Sequence, residues 1–426
     1  MKGLFVTYKA AAVFILSGVL FWMFSASVRA DVVQLTAGFK PDPAKPYINS
    51  FENQTPVTGV CRDTPETCKW LDEGRQVFSI ETNIDFNSIA PIVAHDGNFR
   101  QGAMFNIPAN AWRQVSVRSA DGKEALVEVR IVGIGGRYRL GKRVQELTGE
   151  PDAVRGHYLL WDHGDWGIAP KPCLHTRAGV RPTDTDFTFL WLTSAGAGTC
   201  GTSANFDIPG FAYPKLNFMY SLRTPDPLKM APGTYTGSIN YTVGPFGDFD
   251  MGDNLLPTDS GLQLDFTLNV EHVLSVEVPP GGHRVELVPE GGWQAWLNQG
   301  RKPTRLFRDQ SFNIWTSTNF KMQLECQYSF ENSCALKESN SGENAPLSIS
   351  VSLPSDLRDV SGQPIIRRPL LIDGSGTELF QPSVYLVRKP ATLHFEITRE
   401  HVERMLSEGV AKEYSGNVTV LWDSQI

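Results

Sequence analysis

Past residue 24 the chain has no hydrophobic run near the length that crosses a membrane, so whatever follows is not a membrane-spanning helix bundle. Helix-length amphipathic patterns are almost missing too, which argues against an α-helical or α/β fold. Basic residues are outnumbered, 39 Lys and Arg against 46 Asp and Glu, and they are scattered. Sequence-independent nucleic-acid binding needs a basic face, and none is offered. The sequence has no Gly-x-Ser-x-Gly elbow, His-Glu-x-x-His, P-loop or glycine-rich dinucleotide fingerprint, so the common catalytic and cofactor motifs are excluded. Gly133-Ile-Gly-Gly136 lacks a following helix and reads as a bulge or hairpin. Cysteines number six, with no Cys-x-x-Cys pair and one nearby histidine, His175, which disfavours structural zinc.

What is present begins with a leader. Lys2 and Lys9 precede an apolar run from Ala10 to Phe24, and Val28 and Ala30 stand at −3 and −1 before Asp31. This predicts a signal peptide over residues 1–30 and export to an oxidising compartment. Its loss removes Lys2, Lys9 and Arg29 and takes the net charge from −7 to −10. In that compartment the six cysteines read as disulfides. Cys61 with Cys68, Cys173 with Cys200 and Cys326 with Cys334 is the simplest of the possible pairings.

Alternation of period two recurs between Gly, Pro, Asn and Asp. Leu262, Leu264, Phe266, Leu268 and Val270 form one such row; Leu347, Ile349, Val351 and Leu353 another; Leu393, Phe395 and Ile397 a third. Each buries one face of a strand, and with 38 Gly and 28 Pro for turns the fold class is all-β, built as sandwiches. One helix is expected around Val402, Met405 and Leu406, closed by Gly409. The break at Glu271-His272 and the turn Pro279-Pro280-Gly281-Gly282 divide the exported chain into residues 31–271 and 272–426. The second part has the size of one immunoglobulin-like module.

The sequence ends on a strand. Tyr414, Gly416, Val418, Val420 and Trp422 face one way, and the strand has nothing after it to cover its edge, an arrangement open to strand addition. Here a resemblance enters. Glu290-Gly-Gly-Trp-Gln-Ala-Trp296, Gly300-Arg-Lys-Pro303, Leu306-Phe-Arg-Asp309, Met322-Gln-Leu-Glu-Cys326, Leu393-His-Phe-Glu-Ile397 and the terminal Tyr-Ser-Gly-Asn-Val-Thr-Val strand occur in one order within one module. Together they resemble the CblD-like pilus biogenesis initiators, the minor tip subunits of cable pili and colonisation-factor fimbriae. The likeness is strongest over 272–426 and weaker, more layout than motif, over 31–271.

The resemblance implies a tip adhesin with two immunoglobulin-like sandwiches. Residues 31–271 would bind a host-surface glycan or glycoprotein, and 272–426 would be a pilin fold that lacks a strand. It implies a periplasmic chaperone that lends the strand, an outer-membrane usher, and a major pilin subunit that replaces it. Tyr414, Gly416, Val418, Val420 and Trp422 would then line the donor-strand groove and its C-terminal edge, and the chain would travel through the periplasm to the pilus tip. The mature N-terminus, Asp31 to Phe39, alternates only briefly before Pro41 and offers no detached donor strand, which suits a tip.

For the receptor, Trp161-Asp-His-Gly-Asp-Trp166 is the densest polar and aromatic cluster. Trp161 and Trp166 could stack on a sugar while Asp162 and His163 bond its hydroxyls, or the tryptophans could plug the core. Arg177 and Arg181 could fork onto an acidic glycan or stand as solvated surface residues. Asp248, Asp250 and Asp253 read as an acidic turn in preference to a calcium loop. No catalytic residue, metal site or cofactor is expected. The rival functions are a structural minor pilin without a receptor and a secreted carbohydrate-active protein.

Overall fold

The computed structural model describes residues 30–69, 71, 77–108, 111–176, 180–406 and 412–424. The leader, apart from Ala30, and the residues Arg177 and Gly409 lie outside the described residues. The chain is all-β. No helix among the described residues is long and apolar enough to cross a membrane.

The first set of sheets is built around residues 30–270. Its principal strands are β1 (Ala30–Phe39), β2 (Arg113–Ser119), β3 (Glu124–Leu140), β4 (Asp186–Leu192), β5 (Asn217–Arg223), β6 (Gly233–Thr242) and β7 (Gly261–Val270). The predicted alternation of β7 appears in full: Leu262, Leu264, Phe266, Leu268 and Val270 are buried and the residues between them are half-exposed. β6 runs antiparallel along one edge of β7, and β1 runs parallel along the other for ten residues, from Ala30 opposite Gly261 to Phe39 opposite Val270. Val33, Leu35, Ala37 and Phe39 of β1 are buried in the same core. At about 1.5–3 kcal/mol for each large apolar side chain buried, that inner row makes β1 a principal contributor to closing the sandwich.

β3 is long enough to leave one set of neighbours for another. It pairs with β2 through its first residues, then with β5 on one edge and β4 on the other. The register against β5 shifts at Val132, where Met219 faces Gly133 and Tyr220 faces Ile131. The glycine run there is thus a mid-strand bulge. A Cβ on Gly133 would collide with the Met219 side chain and the Trp191 carbonyl, and Gly136 has φ +119°, so both positions require glycine.

The second set follows His272: β8 (Leu274–Glu277), β9 (Leu306–Thr316), β10 (Lys321–Cys326), β11 (Ser333–Glu338), β12 (Asn344–Ser352), β13 (Leu386–Ile397), β14 (Tyr414–Ser415) and β15 (Val418–Asp423). The order is β8-β9-β13-β12-β11, and β10 pairs with β15 as a separate sheet. Phe312, Ile314, Ile349, Val351, Phe395 and Ile397 pack against Phe320, Met322 and Leu324 between the two layers.

Two expectations change. The sequence suggested one helix, but Ala153–Leu160 (α1) is helical as well as Arg399–Met405 (α2). Asp152 caps α1 by accepting from the Arg155 amide, and its buried face is Gly156, His157 and Leu160. The terminal strand is also not continuous. It breaks at Gly416 and Asn417: β14 joins β11 and β15 joins β10. A Cβ on Gly416 would stand 3.2 Å from the Ala335 carbonyl, so a side chain at the crossover would have to push that strand back by a few tenths of an ångström. The three disulfides are Cys61–Cys68, Cys173–Cys200 and Cys326–Cys334.

Candidate functional site

The tryptophans of the 161–166 loop point inward. Trp161 is 1 % and Trp166 0 % exposed, so neither offers a ring face to a sugar. Trp166 lies at the middle of an aromatic core with Phe105, Tyr138, Trp161, Phe189, Trp191, Phe211 and Tyr213 around it. A buried relay runs through it: Trp161 Nε1 donates to Tyr138 Oη (3.1 Å), whose hydroxyl donates to His157 Nδ1 (2.6 Å), and His157 Nε2 donates to the Thr183 carbonyl (2.8 Å). Burial holds His157 below the usual histidine range and pushes the Tyr138 phenol well above its own. This fixes the neutral imidazole, with one nitrogen donating and the other accepting.

Asp162 and His163 remain nearer the surface and are joined through a hydroxyl. Thr202 Oγ1 donates to Asp162 Oδ1 (2.7 Å) and accepts from His163 Nδ1 (2.6 Å). Burial lowers the His163 pKa, with Asp162 opposing the shift. Thr202 stands two residues from the Cys173–Cys200 disulfide, so the loop is fastened at its base. Arg181 is exposed in a two-residue strand opposite Thr188 of β4. The structure therefore separates the tryptophans, which serve the core, from Asp162, His163 and Arg181.

Arg100 lies between the two aspartates of the acidic turn. Its guanidinium donates to Asp250 Oδ2 at 2.8 Å and to Asp253 Oδ1 at 2.6 Å, while Asp248 accepts from the Thr242 amide. Those carboxylates hold the turn, and the Arg100 pairing holds the Asp253 pKa below the usual range.

At the end of the chain, Val418, Val420 and Trp422 face the second core but are only half-buried, whereas the facing Met322 and Leu324 of β10 are fully buried. Trp422 meets Phe312 and Phe320 with ring centroids 5.3 and 5.7 Å apart. β15 has β10 as its one strand partner among the described residues. Tyr414 donates to Glu343 Oε2 (3.1 Å), and burial beside that carboxylate pushes its pKa up to about 12. Lys321 pairs with Asp423 at 3.1 Å and pins the far end of β15.

His272 joins the two sets of sheets. Its Nε2 donates to the Met230 carbonyl (2.8 Å), its Nδ1 accepts from Ser317 Oγ (3.1 Å), and its ring packs edge-on against Phe39. Lys40 and Glu271 form an exposed ion pair beside it. Burial lowers the His272 pKa, so the joint holds a neutral ring. The imidazole released from the joint binds a proton more readily than the docked one. The contact is therefore at full strength above the ordinary histidine value of about 6.5 and weakens as pH falls below it. Proteolysis of the 271–280 segment is expected to accelerate between pH 7 and pH 5 and to lose that dependence in His272→Gln.

Sequence reading missed a second histidine network. His394 Nδ1 donates to Asp309 Oδ1 (2.7 Å), and Ser352 Oγ donates to His394 Nε2 (2.8 Å), across β9, β13 and β12. The residue types are those of a nucleophilic triad, but none shares a sequence motif with another, and strand pairing alone brings them together. Ser352 Oγ also accepts from the Arg367 amide (3.0 Å), and Arg367 leans on Asp309 at 3.8 Å. That cover makes the network a cross-strand tie. Asp309 is exposed and can bond water instead, so His394→Ala is expected to cost about 0.5–1.5 kcal/mol in urea unfolding, the net worth of a hydrogen bond.

No protein-family model matches the chain, and no curated protein matches it. Among solved structures it is similar to a chain of the chaperone–tip adhesin complex of CFA/I fimbriae biogenesis, at 10 % identity over 93 % of this chain and 97 % of that one, with a TM-score of 0.24. A chain of the chaperone–tip adhesion subunit pre-assembly complex from the archaic chaperone-usher Csu pili of Acinetobacter baumannii gives 10 % identity, 92 % and 98 % coverage and a TM-score of 0.22. Likenesses at this level carry no argument about this chain.

Proposed function

We propose that the chain is a minor tip subunit of a chaperone-usher pilus, of the CblD-like kind, acting in binding and assembly and not as an enzyme. The observation that carries this reading is an asymmetry between two final strands. β7 of the first core has a full-length neighbour on each edge and a buried inner row. β15 of the second has one strand neighbour among the described residues, and its inner row is half-exposed. An inward-facing apolar row with an unpaired edge beside it is what strand addition needs.

On this reading residues 31–271 and 272–426 are separate modules. A periplasmic chaperone and then a major pilin supply the missing strand beside Val418, Val420 and Trp422, and the usher carries the subunit to the cell surface. Receptor binding, to a host glycan, falls to the first module at positions other than Trp161 and Trp166. Co-expression with a periplasmic pilus chaperone tests assembly: a stable complex is expected, with the chain alone aggregating or being degraded. A chain equally soluble without the chaperone overturns the reading. The non-enzymatic half has its own check, since covalent labelling of Ser352 by a fluorophosphonate would sink it.

A further inference from the structure

The outer face of the second sandwich carries a cleft of about 590 Å³, lined by Val273, Ser275, Glu277, Trp315 and Arg388. It lies on the solvent side of β8, β9 and β13, away from β15. Three features set it apart from an ordinary sheet surface. Trp315 points outward from β9 and is half-exposed, directly opposite Ser275. On its other edge β13 bulges: Ile314 faces Lys389 and Thr316 faces Leu386, so Val387 and Arg388 together stand opposite Trp315. Arg388 has φ +49°, a left-handed conformation that a non-glycine residue adopts at a cost, and the bulge aims its side chain over the cleft.

The polar groups are placed for use. Arg388 and Glu277 approach to 3.7 Å, beyond hydrogen-bond distance, with side chains 66 % and 53 % exposed. The guanidinium thus keeps its fork of donors, and the carboxylate its acceptor positions, for a third party. An aromatic face flanked by a bidentate donor, a bidentate acceptor and a hydroxyl matches a pyranose, which offers an apolar C–H face and vicinal hydroxyls that both give and take hydrogen bonds. Glu277 offsets the charge of Arg388 across 3.7 Å, so the lining offers no net positive charge to favour an acidic saccharide.

We propose that this cleft binds a neutral hexopyranose unit, stacked on Trp315 and held by Glu277, Arg388 and Ser275. The site does not depend on the pilus assignment, because it uses neither β15 nor a donor strand.

The test is saturation-transfer NMR on the full chain, with methyl glucosides, galactosides and mannosides as probes and sialyllactose as the acidic comparison. Transfer to at least one neutral pyranoside is expected, weakened about tenfold or more in Trp315→Ala and in Glu277→Gln, the loss that follows from removing about 1.4 kcal/mol of contact. Glu277→Gln keeps strand pairing and reports on the site if Trp315→Ala does not fold. No transfer to any neutral probe overturns the proposal. So does transfer unchanged in both variants, which would place saccharide binding elsewhere, or preferential binding of sialyllactose.

Discussion

On the pilus reading proposed above, a donor peptide from the N-terminus of the major pilin, added to the full chain, is expected to raise the melting temperature of one of two transitions by about 5–10 °C and leave the other in place. The size follows from linkage. A ligand at 100 times its dissociation constant stabilises the state it binds by about 2.7 kcal/mol. For a unit of about 150 residues, 1 kcal/mol moves the midpoint by about 2–4 °C. The transition that moves is the one containing Phe312, Phe320 and Trp422, because Val418, Val420 and Trp422 leave that core half-covered. The core containing Leu35 and Leu264 should not respond, since β1 already lies along β7 there. Trp422→Ala is expected to blunt the peptide's effect by shrinking the surface the donor covers. Two transitions that ignore the peptide, or that move together, would show that β15 needs no partner.

The contrast between those two cores also marks what the sequence could and could not disclose. Period-two rows such as Leu262 to Val270 were legible because burial on one sheet face writes itself directly into the residue order. The disulfides were legible because the six cysteines fall into pairs 7, 27 and 8 residues apart, well separated from one another along the chain. β1 was undervalued: Val33, Leu35, Ala37 and Phe39 alternate for a short span, but their parallel partner is more than 200 residues away and only the fold reveals it. α1 was hidden by its length, since eight residues give little more than two turns of periodicity. The same limit applies to the candidate sites. Ser352, His394 and Asp309 stand on three strands, as do Trp315, Glu277 and Arg388, and cross-strand neighbours have no sequence spacing to betray them. The direction of a side chain in a loop is set by tertiary packing, which is why the residue order of Trp161 and Trp166 favours a core without excluding a receptor platform, and only the fold decides between them.

Replacing Trp166 separates those two roles most sharply. Trp166→Ala is expected to destabilise the first sandwich by about 3–5 kcal/mol, the range for deleting a buried aromatic, and to lower its melting transition without reference to any glycan. Seven aromatic neighbours lose their central contact, and the Trp166 carbonyl that accepts from Trp191 Nε1 at 2.8 Å sits on a backbone then free to shift. Trp166→Phe should cost much less. The indole Nε1 of Trp166 has no acceptor among the described residues, so phenylalanine gives up volume but no hydrogen bond. A binding platform would give the reverse order of readouts: Trp166→Ala would leave urea and thermal unfolding of the sandwich nearly unchanged and abolish saccharide binding. Because the ring is 0 % exposed, the expected loss is in folding, and Asp162, His163 and Arg181 are the positions where substitution can test receptor contact without opening the core.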